Sequence, residues 1–133
     1  MRSLVVTLPQ LMTAVVCALA SPAAAPEAFA GETRLTGMGI HEALAGNTVV
    51  GEWGSQPYRS YFRPDGLTIY KPDGAPAETG KWRVDEENDQ YCSWWARSGW
   101  SCYNVYRDGR TIIWEIPGTE TRYPSEIMGG KQL

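Results

Sequence analysis

The stretch that constrains the fold most strongly reads Tyr91-Cys92-Ser93-Trp94-Trp95-Ala96-Arg97-Ser98-Gly99-Trp100-Ser101-Cys102-Tyr103. A hairpin folded about Arg97 sets Cys92 opposite Cys102. In the same register Trp94 lies opposite Trp100. Directly opposed Cβ atoms of an antiparallel pair lie about 4.5–5.5 Å apart, which is close enough for a disulfide. The stretch therefore predicts a disulfide-bridged β-hairpin.

The dipeptide Asp108-Gly109 is the strongest signal in the chain for a two-residue hairpin turn. It predicts a second hairpin with the cross-strand pairs Arg107 with Arg110, Val105 with Ile112, and Tyr103 with Trp114. Because side chains alternate across a strand, we expect an inward, apolar face made of Tyr91, Trp95, Tyr103, Val105, Ile112, Trp114 and Ile116. The outward face would then carry both cysteines, Trp94, Trp100 and Tyr106. A one-residue bulge would exchange the two faces.

Upstream of the hairpins the sequence predicts one short helix and then short strands. Thr36 is suited to cap the helix, Ile40 and Leu44 repeat at i, i+4, and Gly46-Asn47 would end it. Strands are predicted at residues 48–53, 58–62, 67–70 and 78–84, and turns of the Pro-Asp-Gly type separate the last three. Residues 31–35 are expected to be a flexible lead.

The number of strands determines the predicted architecture. We expect six to eight short strands, and an open sheet of that size has exposed edges that closure removes. We therefore predict an all-β fold for the single domain of residues 31–133, a small antiparallel barrel with a short N-terminal helix. A β-sandwich is the second choice. The 14 glycines and 9 prolines of the chain suit such a turn-rich fold.

The first 30 residues have the pattern of a secretory signal peptide. Arg2 gives a positively charged start, and residues 4–20 are almost wholly apolar. Ala28-Phe29-Ala30 is an A-x-A cleavage site, and Ala23-Ala24-Ala25 is a second candidate. The apolar run is shorter than the about 20 residues that span a bilayer, so we expect cleavage and no membrane span in the mature form. An uncleaved N-terminal anchor is the alternative.

Cleavage would discard Cys17 and leave Cys92 and Cys102 as the only cysteines. An exported protein meets an oxidising compartment, in which two such thiols tend to pair. The bridge would close a loop of about ten residues and stabilise the fold by roughly 2–3 kcal/mol on the entropic model. We therefore expect a periplasmic or secreted protein with a Cys92–Cys102 disulfide, with two buried free thiols as the alternative.

Charge and motifs argue against several classes of partner. The formal net charge is −3, so the chain lacks the basic surface that nucleic acid or an anionic membrane would require. Asp85, Glu87 and Asp89 have part of the spacing of a calcium loop, but its Gly and its distant Glu are missing. Zinc-ligand spacings and phosphate-binding glycine loops are also missing. We expect no metal, no cofactor and no nucleic acid, and a solvated turn at residues 85–89.

An enzyme would have to use the one histidine of the chain, His41, on the predicted helix. A G-x-S-x-G elbow is missing, and the two cysteines are expected to be oxidised. We therefore predict no catalytic residues. A small enzyme that uses His41 with a nearby carboxylate is the alternative.

The aromatic cluster is the remaining candidate site. Large aromatic side chains fill small barrels, so core packing accounts for most of the cluster. The outward face leaves Trp94, Trp100 and Tyr106 as candidates for binding a ligand or partner. Two exposed tryptophans beside a disulfide would form a rigid apolar patch suited to a protein, a sugar ring or a lipid.

Two Gly-x-Trp motifs, Gly51-Glu52-Trp53 and Gly80-Lys81-Trp82, resemble the G-x-W of lipocalin-like barrels. A longer resemblance is carried by Leu35-Thr36-Gly37, Gly46-Asn47-Thr48-Val49, Tyr61-Phe62-Arg63-Pro64-Asp65-Gly66, Gly80-Lys81-Trp82, Cys92-Ser93-Trp94 and Cys102-Tyr103-Asn104-Val105-Tyr106-Arg107-Asp108-Gly109. These stretches are similar to a large group of uncharacterised secreted domains of alphaproteobacteria. The resemblance implies a periplasmic protein with one disulfide and a lipocalin-like barrel. It carries over no catalytic residues.

These features together predict a non-enzymatic binding or interaction module whose partner is a protein or a small apolar ligand. An inhibitor of a secreted hydrolase is one form of this function, because such inhibitors are also small, periplasmic barrels with one disulfide. A structural component of the cell envelope is a further alternative.

Overall fold

The structure is a computed structural model, and it describes residues 31–133. The predicted signal peptide and Cys17 therefore lie outside the described residues. Within them the chain forms one helix, α1 (Gly37–Leu44), and nine strands. The strands are β1 (Thr33–Arg34), β2 (Thr48–Trp53), β3 (Gln56–Phe62), β4 (Leu67–Pro72), β5 (Glu78–Asp85), β6 (Gln90–Trp95), β7 (Gly99–Asp108), β8 (Thr111–Glu115) and β9 (Arg122–Met128).

Strands β2 to β9 form a closed antiparallel barrel in which each strand pairs with the next one in the chain. Pairing of β9 with β2 closes it, with Val49 opposite Ile127. The predicted fold, a small all-β antiparallel barrel with a short N-terminal helix, is thus confirmed.

β1 is an extra strand outside the barrel order, and it pairs with β7, Thr33 lying opposite Arg107. The expectation of a flexible lead at residues 31–35 is wrong at this point. β7 has ten residues and its neighbour β6 has only six. The last part of β7 therefore keeps an unpaired edge, which β1 covers.

The cysteine hairpin has the predicted register, with Cys92 opposite Cys102. The next hairpin differs by two residues from the prediction, since Asp108 pairs with Thr111 and Val105 with Trp114. Gly109 occupies the first position of the turn with φ +59°, a place that favours glycine in a type II′ hairpin. A shift of two residues preserves the alternation of side chains, so the predicted faces remain correct.

Helix α1 closes one end of the barrel. Ile40 and Leu44 are fully buried there and pack into a core with Val49, Phe62, Trp82, Tyr91, Val105, Ile112, Trp114 and Ile127. The helix is capped as predicted, because the Thr36 hydroxyl accepts the Gly39 N–H at 3.1 Å. Asp89, in the β5–β6 turn, also accepts the Gly37 N–H at 2.6 Å. This acidic turn therefore stabilises the helix start, where a carboxylate meets free N–H groups.

The opposite end of the barrel has no helix across it. The connections β2–β3, β4–β5, β6–β7 and β8–β9 lie at this end, since successive strands alternate in direction. The barrel thus has one closed end and one open end, and the candidate site lies at the open one.

Candidate functional site

The open end holds a cavity of about 350 Å³, a size at the lower end of the range for small-molecule sites. Its wall consists of inward-facing side chains of the barrel strands. Three of the six tryptophans line it, Trp53, Trp95 and Trp114. The sequence predicted inward positions for the last two, but assigned them to a solid core.

Both Gly-x-Trp motifs contribute to this interior. Residues two apart share a face, so glycine and tryptophan of each motif point inward. A Cβ atom on Gly80 would lie 2.7 Å from ring atoms of Trp95, so the indole lies against the bare backbone of β5. A Cβ atom on Gly51 would lie 3.4 Å from the Tyr58 hydroxyl oxygen and 2.8 Å from Ser125 Cβ. The two glycines therefore make room for the aromatic wall.

Four tyrosines line the cavity: Tyr58, Tyr70, Tyr91 and Tyr103. Burial raises the pKa of Tyr58 to about 12, and a contact with Trp114 opposes this shift in part. Burial also raises the pKa of Tyr91, Tyr70 and Tyr103 above the ordinary value. The wall thus disfavours a negative charge and presents neutral phenols, which both donate and accept hydrogen bonds.

Small polar side chains supply the rest of the wall. Ser60, Ser93 and Ser101 line the cavity at inward positions of β3, β6 and β7. Ser93 accepts a hydrogen bond from the Trp95 indole N–H at 3.1 Å, which fixes that ring. Within residues 31–133, each buried polar side-chain atom has a hydrogen-bond partner. The polar groups of the wall are therefore satisfied or open to the cavity.

Two charged residues stand at the mouth, Glu78 and Arg97. Glu78 begins β5 opposite Tyr70 and shares its inward face. Burial is the larger cause of the raised pKa of Tyr70, and the charge of the nearby Glu78 carboxylate is the smaller one. Arg97 lies in the β6–β7 turn, two residues beyond Trp95. Neither charge belongs to an ion pair among the described residues.

The two outward tryptophans lie side by side on the external face, as predicted, with Trp94 opposite Trp100. Trp100 is 45% exposed and Trp94 is half-buried. The Lys81 ammonium lies 5.1 Å from the Trp94 ring, and the Arg83 guanidinium lies 4.8 Å from the Trp100 ring. Cations of β5 thus partly cover both indoles.

Tyr106 does not join the two tryptophans. It is six residues from Trp100 along β7, or about 20 Å for an extended strand. Its ring lies 4.3 Å from the Arg122 guanidinium, and its hydroxyl donates to Glu115 at 3.3 Å. A hydrogen bond from Asn104 is the main cause that lowers the pKa of Glu115, and a hydrogen bond from Arg122 adds to it. Tyr106 therefore belongs to a polar network that fixes the outer sides of β7, β8 and β9.

The predicted disulfide is present: Cys92 and Cys102 are bonded, with their Cα atoms 4.0 Å apart. Its sulfurs lie on the outer face, and the inner face of the same hairpin carries Tyr91, Ser93 and Trp95. The bridge therefore braces a wall of the cavity from outside. A structural disulfide suits a protein outside the cytoplasm, where thiols are not kept reduced.

His41 lies at the closed end, away from the cavity. It is exposed on α1, and its ring stacks on Trp82 with the centroids 5.7 Å apart. The ion pairs of the described chain do not include it. Nor do residues 31–133 contain a group of three or more His, Cys, Asp or Glu side chains placed to hold a metal ion.

Sequence reasoning did not identify the mouth residues Trp53, Tyr58, Tyr70 and Glu78. A signal was available in the alternation of side chains. Tyr58, Ser60 and Phe62 share one face of β3, and a serine between two aromatic residues leaves space in an otherwise filled layer. Ser93 repeats the pattern on β6, between Tyr91 and Trp95.

Among the described residues no helix is long and apolar enough to cross a bilayer. No protein-family model, curated protein or solved structure matches this chain.

Proposed function

We propose that this protein is a non-enzymatic binding module that holds a small, largely apolar molecule in the open end of its barrel. The observation that carries the proposal is the cavity of about 350 Å³ walled by aromatic rings. Ligand sites are typically apolar concavities with a few polar groups that fix orientation. The serines, the phenols, Glu78 and Arg97 would serve as those polar groups.

We further propose that the protein works in the periplasm or outside the cell. The signal-like sequence of residues 1–30 and the Cys92–Cys102 disulfide support this location. The resemblance to secreted alphaproteobacterial domains supports it as well.

A ligand screen with a matched pair of variants tests the binding function. Tryptophan emission is recorded while uncharged and charged aromatic and aliphatic compounds are titrated, because three tryptophans line the cavity. Ser60→Leu would project a larger apolar side chain into the cavity, and Thr79→Leu would add the same side chain on the outer face of β5. We expect binding to be lost in Ser60→Leu and kept in Thr79→Leu. Equal binding by both variants would place the ligand elsewhere and contradict the proposal.

A second candidate function is docking of a protein on the external pair Trp94 and Trp100. The exposure of Trp100, at 45%, favours it, because large exposed aromatic residues often anchor interfaces. An inhibitor of a secreted hydrolase is the form to test first. Lysozymes and metalloproteases are assayed with the protein and with its Trp100→Ser variant. Inhibition that the variant loses would support docking, and no inhibition of either enzyme class would contradict this form.

A further inference from the structure

We infer that the molecule held in the barrel is an organic cation, whose ammonium group lies between the aromatic rings of the mouth and the carboxylate of Glu78. The inference rests on the proposed function, that the cavity binds a small molecule, and it names the chemical class of that molecule.

The first argument is the arrangement of the rings. Tyr58 and Tyr70 lie 5.2 Å apart between centroids with their planes tilted by 37°. Tyr70 and Trp95 lie 5.9 Å apart at 67°. Tyr70 is thus in contact with both rings, and all three residues line the cavity, so part of its wall is aromatic surface. The face of an aromatic ring is negative and attracts an ammonium group that lies over it.

The second argument is the carboxylate. Glu78 points inward beside Tyr70 at the mouth, and among residues 31–133 it has no cationic partner. The Glu78 side chain is exposed at the mouth and forms no ion pair within the described chain, so its charge is available to a bound ligand. An ammonium group seated in the rings would supply one at short range.

The third argument concerns Arg97, the one cationic side chain in the described wall. An anionic ligand that approached it would have to lie against the negative ring faces, which repel anions. The wall also keeps its phenols neutral, since burial raises the pKa of all four tyrosines. Arg97 is exposed in the β6–β7 turn and forms no ion pair with Glu78. Because both side chains line the same mouth, Arg97 would compete with a ligand cation for Glu78.

Three probes of similar shape and different charge test the inference: benzyltrimethylammonium, its uncharged isostere neopentylbenzene, and the anion phenylacetate. Binding to the whole protein is measured by tryptophan emission. We expect benzyltrimethylammonium to bind most tightly and phenylacetate most weakly. Tighter binding of either other probe would overturn the inference and leave the proposed function intact. Failure of all three to bind would count against the proposed function itself.

Variants at the mouth identify the groups responsible. Glu78→Gln should lower the affinity for benzyltrimethylammonium by about threefold, the scale of an exposed ion pair. The affinity for neopentylbenzene should not change. Glu52→Gln removes an exposed carboxylate from the outer face of β2 and should change the affinity for neither probe. Arg97→Gln should raise the affinity for benzyltrimethylammonium by about twofold, because it removes a cation that competes for Glu78. The role of Glu78 would be overturned if Arg97→Gln bound benzyltrimethylammonium more weakly than the unmodified protein does. It would also be overturned if Glu78→Gln bound this cation with unchanged affinity.

A pair of substitutions at Tyr70 separates the ring face from the hydroxyl. Tyr70→Phe keeps the face and should retain cation binding within about twofold, whereas Tyr70→Leu should lose about threefold or more. Both variants should bind neopentylbenzene alike. Equal cation binding by the Phe and Leu variants would exclude a contribution of the ring.

Discussion

The two ends of the barrel are built from the same strands but filled in different ways. At the closed end, Ile40 and Leu44 of α1 reach the interior and complete a core of buried, mostly apolar side chains. At the open end the inward residues are tyrosines, tryptophans and serines, and a cavity of about 350 Å³ remains. The difference shows that one set of strands can enclose a packed core at one end and an open cavity at the other.

The side chains of the two ends differ in kind. Aliphatic residues such as Val105 and Ile112 pack densely and expose no polar side-chain atom, which suits a core. Tyrosine and tryptophan provide large apolar faces with one polar tip, which suits a wall that borders an open space.

The largest effect should come from the closed end. Ile40→Ala removes a fully buried side chain and should lower the free energy of unfolding by about 2–5 kcal/mol. Met38→Ala on the same helix is the control, because Met38 is 69% exposed and should change stability little. Urea unfolding followed by circular dichroism measures both. A small loss for Ile40→Ala would mean that α1 is not part of the core.

Alkaline pH should destabilise the open end. The folded-state pKa of Tyr58, about 12, is raised from the ordinary value of 10.0. The folded state keeps the Tyr58 phenol neutral, so the contribution of this group to stability has its full value below pH 10. Above pH 10 the phenol ionises more readily in the unfolded chain, and this contribution to stability is lost as the pH rises through 12. The loss should be on the order of 3 kcal/mol, from the difference between the two values. Unfolding free energies of the protein and of Tyr58→Phe are compared from pH 9 to 12, and parallel curves would contradict this origin.

The disulfide should contribute to stability without contributing to the cavity surface. The double variant Cys92→Ala/Cys102→Ala should lose roughly 2–3 kcal/mol, as expected for a closed loop of about ten residues. Because both sulfurs lie on the outer face, the variant should still bind the same compounds below its unfolding temperature. Calorimetric melting and a ligand titration measure the two quantities. Loss of binding in the folded variant would show that the bridge shapes the cavity.

The smallest change in stability should come from filling the cavity. Ser60→Leu places an apolar side chain in open space and should change the free energy of unfolding by less than about 1.5 kcal/mol in either direction. The same substitution should abolish ligand binding, so stability and binding would respond independently. A loss as large as that of Ile40→Ala would show that the open end is as densely packed as the closed end.

Much of the fold could be predicted from short-range patterns. The alternation of side chains placed Trp95 inside and Trp100 outside, and an error of two residues in the second hairpin did not alter either face. The cap at Thr36 was likewise local, since it depends on one hydroxyl and the N–H group three residues on. The pairing of β1 with β7 was not predictable, because it depends on β7 being longer than its neighbour β6.

The candidate site was harder to predict because a cavity is a property of a layer, not of a strand. Its carboxylate and three of its serines come from four strands, and among these only Ser93 and Ser101, which face each other in the cysteine hairpin, are close in sequence. The sequence singled out Tyr106 with the two external tryptophans because they share a face. The structure separates them, because a face of a ten-residue strand is long and its two ends meet different neighbours.

The sequence alone determined the faces of the cysteine hairpin, the capped helix and the position of the disulfide, because each depends on alternation or spacing within a few residues. Only the tertiary structure decided that the sheet closes with β9 against β2 and that α1 fills one end while leaving the other open. It also decided which aromatic rings share one space with Glu78. These features depend on contacts between residues far apart in the chain. Whether a level of the barrel is filled or open depends on the side-chain volumes that all eight strands contribute at that level.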